Sequence, residues 1–283
     1  MVVMVMLAHH RFKRARVRRV PRLDRDVNDA VVGSSAAVSL DRGSGNTPRF
    51  SSSEKGTLVL LDLLDDLGIQ ATFFAEARTL QETQIGRSIS KYEVAMHGYD
   101  HEDLTGSKSK VILAHGELRS IVERSVQVIR DEVGCSPTGF RSPYMDPNEE
   151  LLDFLHEYGV TYDSSRYAYV SDVVKPYPSG NMMLTEVPAL KGTSANGKTI
   201  TSYLWPMHEG KRSAGDFIAL CETVKEGVCM IATHTWHMVE RRSGGPMSQE
   251  DVSANYDATR DVLSSLIDSG FEAVDARHAA SIK

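Results

Sequence analysis

Two histidines stand four residues apart in "EVAMHGYDHEDL", residues 93–104: His97 and His101, with Asp100, Glu102 and Asp103 packed around the second. Imidazoles in an H-x3-H pattern can meet one divalent ion, because four residues is short enough for both rings to point the same way in a helix or a tight loop. The nearby carboxylates can accept hydrogen bonds from the other ring nitrogens. The spacing by itself suits surface or capping histidines equally well.

Three further residues invite chemistry. His234 lies in "IATHTWH" directly after an apolar run, so it faces either the core or a site. Asp163 and the Trp236 ring are the expected neighbours that would orient it as a general acid with a pKa near neutrality. His237, three residues on, is the weaker substitute. Arg141, in "FRSPY", precedes Pro143, which fixes the backbone; a guanidinium held there suits pairing with a catalytic carboxylate, and a structural salt bridge explains the spacing as well.

These residues need a scaffold that gathers them. From residue 36 onward, short β-branched runs alternate with longer amphipathic ones, the pattern of a mainly parallel sheet with crossover helices, hence a single α/β domain. Asp41 follows the expected strand "AAVSL", His97 follows "YEVAM", Arg141 follows "TGF", Asp163 follows "GVTY" and His234 ends "VCMIAT". Carboxyl ends of parallel strands share one face, so five polar residues far apart in sequence converge on one mouth.

Composition sets the outer bounds. The chain has 283 residues, 41% apolar and 25% charged, with net charge -6, the balance of an ordinary water-soluble α/β protein. "MVVMVMLA" is too short for a spanning helix and lacks a basic segment before it, so no signal peptide and no membrane partner are expected. "HHRFKRARVRRVPRLDR", residues 9–25, concentrates basic charge; with Phe12 as its lone aromatic it reads as a solvated, poorly ordered extension over residues 1–30, and nucleic acid is not the expected partner. Residues 31–283 then form the domain. Cys135, Cys221 and Cys229 show no CxxC spacing, so the expectation is free thiols in a reducing cytoplasm. Oligomeric state is not legible.

In this order, "ATFFAEA", "HGYDHEDL", "GFRSPY", "YDSS" and "IATHTWH" resemble the successive motifs of the polysaccharide deacetylase family (NodB homology, carbohydrate esterase 4) over roughly residues 36–275. The resemblance implies a distorted (β/α) barrel, a divalent metal, usually zinc, and hydrolysis of an N-acetyl amide on a sugar. His97 and His101 match the metal-binding histidines, Arg141 the arginine that orients the base, Asp163 the aspartate of the fourth motif and His234 the general acid. The amide of Tyr144 can help hold the oxyanion, and Trp205 and Trp236 can stack on a sugar ring or anchor the core. A saccharide or small N-acylated sugar is the substrate implied.

The first motif departs from the family. It normally carries two aspartates, one base and one metal ligand, whereas here "VSLDRGSGN" has Asp41 followed by Arg42 and Gly43. Asp41 can fill one of the two roles. Either Asp41 is the base and the third ligand is water or a carboxylate such as Asp100 or Asp103, or Asp41 is the ligand and the base is Glu76 or Glu186. The third alternative is a barrel without metal that acts on another C–N bond, as allantoinase-like relatives do, or only binds carbohydrate.

Overall fold

The computed structural model describes residues 1–9 and 49–282. Asp41, the strand expected at residues 36–40 and the basic run from residue 10 lie outside the described residues. The strands that position the site are β1 (Val2–His9), β2 (Thr72–Ala75), β3 (Glu93–Met96), β4 (Gly139–Phe140), β5 (Tyr162–Asp163), β6 (Leu184–Glu186), β7 (Glu226–His234) and β8 (Phe271–Val274). They belong to one ten-stranded sheet running β7-β1-β2-β3-β4-β5-β6 through its centre, with β8 also paired to β1. From β2 to β6 every pairing is parallel. β7 lies antiparallel to β1, and β1 antiparallel to β2, so β7 points the same way as β2. The carboxyl ends of β2 through β7 therefore share one face of a curled half-barrel.

The opening residues differ from the expected extension. Met1 to Ala8 are all buried, and Val2–His9 pairs residue for residue with His234 back to Gly227. Eight apolar side chains in a row cannot alternate between core and solvent, so such a strand is stable only where both its faces are covered, at the centre of a sheet.

Helices cover the outside: α1 (Phe50–Leu67), α2 (His115–Val133), α3 (Glu149–Leu155), α4 (Ala214–Glu222) and α5 (Gln249–Asp268). α1 buries Val59, Leu60, Leu63 and Leu64, spaced three to four apart on one stripe; truncating fully buried Leu63 to alanine is expected to cost about 2–5 kcal/mol. Gly56 lets α1 approach the turn after β7, because a Cβ there would come within 1.8 Å of the Thr235 carbonyl oxygen. α2 starts later than "KVILAHGELR" suggests, since the Ala114 N–H donates to Glu117 Oε2 at 2.7 Å and caps the helix there, leaving Ile112 85% exposed.

Cys221, in α4, is paired with Cys229, in β7, as a disulfide, and Cys135 is the exposed free cysteine. That corrects the expectation of free thiols and removes its support for a reducing compartment. The eight-residue separation hid the pair because the return from helix to strand, and not a CxxC turn, brings the two together. No helix among the described residues is long and apolar enough to cross a membrane.

Candidate metal and hydrolase site

Glu76 follows β2 directly, in extended backbone at φ -68° and ψ 121°. Its side chain is 2% exposed; Oε2 accepts from the Thr79 hydroxyl at 3.0 Å, and Oε1 lies 3.6 Å from the α-amine of Met1. His97 follows β3 and is likewise buried, its N–H donating to the Ala75 carbonyl at 2.9 Å. His97 Nδ1 is 2.8 Å from the Arg141 carbonyl oxygen. A carbonyl can only accept, so Nδ1 carries the hydrogen and Nε2 presents its lone pair to the mouth.

A tight turn then returns His101 to His97. Gly98 takes φ 76°, and the Glu102 carboxylate accepts from the N–H groups of Tyr99 and Asp100 at 3.1 and 2.9 Å. His101 itself sits at φ 55°, with its ring centroid 5.0 Å from that of His97. Donor atoms of Glu76, His97 and His101 all lie within 4.8 Å of one another. Two imidazoles and one carboxylate make the donor set of a catalytic zinc site that keeps a position open for water or substrate, so these residues fit a divalent ion. Burial first, then the neighbouring His101, holds His97 well below the ordinary histidine pKa; burial also lowers His101. Both rings are thus neutral at pH 7 and able to ligate.

Asp100 and Asp103, weighed as third ligands, are held elsewhere. Asp100 pairs with Arg78 at 2.8 Å, and Asp103 accepts from the amides of Lys108 and Ser109. Glu76 is the carboxylate beside the histidines. Its signal in the sequence was an acid placed immediately after the apolar strand "TFFA".

Arg141 follows β4 and is completely buried. Its guanidinium donates to the Ser164 carbonyl at 2.7 Å, the Ser164 hydroxyl at 2.6 Å and the Tyr203 hydroxyl at 3.0 Å, and lies over the Phe74 ring. Among the described residues it forms no ion pair.

Asp163 ends β5, fully buried, with Oδ1 accepting from the Ser165 hydroxyl at 2.5 Å. Its register partner on β6 is Glu186, and Asp163 Oδ2 is buried with no hydrogen-bond partner. The expected Asp163–His234 contact is not made: His234 Nδ1 is buried without a hydrogen-bond partner. Burial, reinforced by nearby positive charge, pushes His234 down to about 3, far from the near-neutral value expected. Asp163 pairs in register with Glu186 of β6, and its Oδ1 accepts from Ser165. The ring sits instead 5.9 Å from Tyr203 and 5.3 Å from His237. His237 is a residue the sequence undervalued: it is buried and both ring nitrogens lack partners.

The aromatic candidates divide. Tyr144 adopts φ 61° after Pro143, and its ring centroid lies 4.6 Å from that of His101. Trp205 is half-buried and stacks with His237 at 6.2 Å. Trp236 is buried, with the Arg49 guanidinium 3.9 Å above its ring.

The order of these motifs along the chain has a counterpart in known proteins. A family model described as polysaccharide deacetylase matches residues 32–162. Over these residues the chain is similar to the polysaccharide deacetylases. Among curated relatives, the chain is 28% identical over 111 residues to the peptidoglycan deacetylase-like protein FGM2 of Gibberella zeae, 38% of this chain and 31% of that protein. It is 27% identical over 115 residues to the peptidoglycan deacetylase of Helicobacter pylori, 40% of this chain and 37% of that one. The chain thus spans about a third of the length of these relatives. Among solved structures, a family 4 carbohydrate esterase pseudoenzyme from Bacillus anthracis superposes with TM-score 0.52 at 12% identity, over 80% of this chain and 61% of that chain. The peptidoglycan N-acetylglucosamine deacetylase Bc1960 superposes with TM-score 0.50 at 17% identity, over 77% and 78%. At these identities the deacetylase likeness in the solved structures is one of fold.

Proposed function

We propose that this chain is a polysaccharide-deacetylase-like, metal-dependent amide hydrolase that removes an N-acetyl group from an amino sugar or N-acylated saccharide, with Glu76, His97 and His101 holding a zinc ion. The observation that carries the reading is the convergence of those three donors within 4.8 Å at the mouth, beside His234 and Arg141. Bound there, zinc would polarise the acetyl carbonyl and lower the pKa of a water.

The chain's own residues do the rest. With Glu76 in the ligand role, Asp41 is left for the base. A fully buried guanidinium without a carboxylate is costly, and Arg141 is the cation that would orient that base. His234 is neutral in the free protein, so it first takes up a proton and then gives it to the leaving nitrogen. The Tyr144 N–H, carried on the loop beside His101, would donate to the oxyanion. Trp205 offers a half-buried ring face to the sugar.

Acetate release from N-acetylglucosamine oligomers, measured before and after chelation and after adding zinc back, tests this reading. Chelator-sensitive release restored by zinc is the expected result. Failure of the purified chain both to bind metal and to release acetate from any N-acetylated sugar contradicts it, and leaves a carbohydrate-binding barrel or a hydrolase of another C–N bond.

A further inference from the structure

Glu186 is a buried acid that the mechanism above does not use. It closes β6 directly beside Asp163 at the end of β5, in parallel register. Both side chains are fully shielded from solvent. Oε1 of Glu186 accepts from the Arg166 N–H at 3.0 Å, and Oδ1 of Asp163 accepts from Ser165. The remaining oxygens, Glu186 Oε2 and Asp163 Oδ2, are buried with no hydrogen-bond partner, on residues that pair in register across the two strands. Two buried carboxylates side by side repel and leave both oxygens unsatisfied, whereas one shared proton satisfies both.

From this pair a chain of hydrogen bonds runs to the catalytic loop. The Ser165 hydroxyl that donates to Asp163 accepts from the Ser142 N–H at 2.8 Å. Ser142 sits between Arg141, whose carbonyl holds His97 at 2.8 Å, and the Pro143–Tyr144 turn against His101. In parallel, the Ser164 hydroxyl donates to the Val187 carbonyl at 2.5 Å and accepts from Arg141 at 2.6 Å. The end of β6 therefore clamps residues 163–166, and these clamp residues 141–144.

We propose that Glu186 is a positioning residue: its carboxylic acid proton bridges to Asp163 and so fixes, through Ser165 and Ser142, the Arg141–Tyr144 loop over the metal-binding group. Glu186 Oε2–H donates to Asp163 Oδ2, and Asp163 remains the anion. Burial and the Asp163 charge keep the proton on Glu186. The charged and titratable groups facing the pair are Arg141, Arg166 and Tyr177; both arginines favour the single negative charge left on Asp163. Glu186, weighed as a base from the sequence, holds its proton and is used for orientation.

The test compares the full chain with Glu186→Gln and Glu186→Ala. The Gln side chain can still donate to Asp163 and accept from Arg166, but it cannot ionise. Infrared difference spectra at pH 7.5 are expected to show a protonated carboxyl band in the wild type that Glu186→Gln lacks. A band that persists in the Gln variant, or no such band in the wild type, overturns the shared proton without reference to activity. The kinetic arm rests on the deacetylase reading. There, Glu186→Gln is expected to keep kcat within about threefold, with the alkaline limb of its pH profile moved upward, while Glu186→Ala loses about 100-fold, the scale of a 1 Å misplacement. A folded Glu186→Gln variant as impaired as Glu186→Ala, or with an unmoved alkaline limb, overturns the positioning role. Absence of acetate release from the wild type would instead count against the deacetylase reading, with the infrared arm still deciding the proton.

Discussion

His97 Nδ1 lies 2.8 Å from the carbonyl oxygen of Arg141, so the second and third sequence motifs are joined by one hydrogen bond that fixes which imidazole nitrogen faces the mouth. Orientation of this proposed metal ligand thus depends on where the Arg141 backbone sits, and that backbone depends on the burial of the Arg141 side chain.

Arg141→Lys should therefore behave as a disruptive change. Lysine cannot reproduce the guanidinium fork that serves Ser164 and Tyr203, and it would leave the Ser164 carbonyl, the Ser164 hydroxyl and a buried ammonium poorly matched. The urea midpoint should fall by an amount equivalent to about 2–4 kcal/mol. A variant within about 0.5 kcal/mol of wild type would contradict the packing described for this residue.

The buried histidines should govern acid sensitivity. His208 is held at about 3 by burial, with its ring between the hydroxyls of Thr259 and Thr233. Its folded pKa is depressed below the unfolded value of about 6.5, so the unfolded chain binds the extra proton and stability is lost as pH falls from about 6.5 towards 3. Between pH 6 and 4, the slope of unfolding free energy against pH should be smaller in His208→Gln than in wild type by about 1.4 kcal/mol per pH unit. Equal slopes in urea titrations at several pH values would show that His208 does not titrate in this way.

Thiol counting checks the disulfide. The unreduced, unfolded chain should show one reactive thiol, Cys135, and the reduced chain three. Reduction should lower stability by about 2 kcal/mol, the scale expected for closing a short loop. Three free thiols without reductant would contradict the pairing of Cys221 with Cys229.

Much of the site's placement was legible because strand ends mark themselves: "TFFA", "EVAM" and "GF" are short apolar runs, and the polar residue after each must sit at the sheet's edge. Other features needed three dimensions. The Asp163–Glu186 pair arises from register between β5 and β6, which no local pattern encodes. His234 was expected beside Asp163 and Trp236; Trp236 is a neighbour, but in place of Asp163 stand Tyr203 and His237, contributed by the segment after Thr201 and the turn after β7. The eight apolar residues of "MVVMVMLA" form an interior strand, and the basic run that follows them masks this in the sequence.

The three-donor group is the centre of this account, and zinc titration of the chelator-treated chain by calorimetry tests it most directly. Wild type should bind one zinc ion, while Glu76→Gln should bind it at least about tenfold more weakly, since even loss of a residue that only supports a ligand costs that much. Zinc binding of equal strength in Glu76→Gln and wild type, or no stoichiometric binding by the wild type, would contradict a site built from Glu76, His97 and His101.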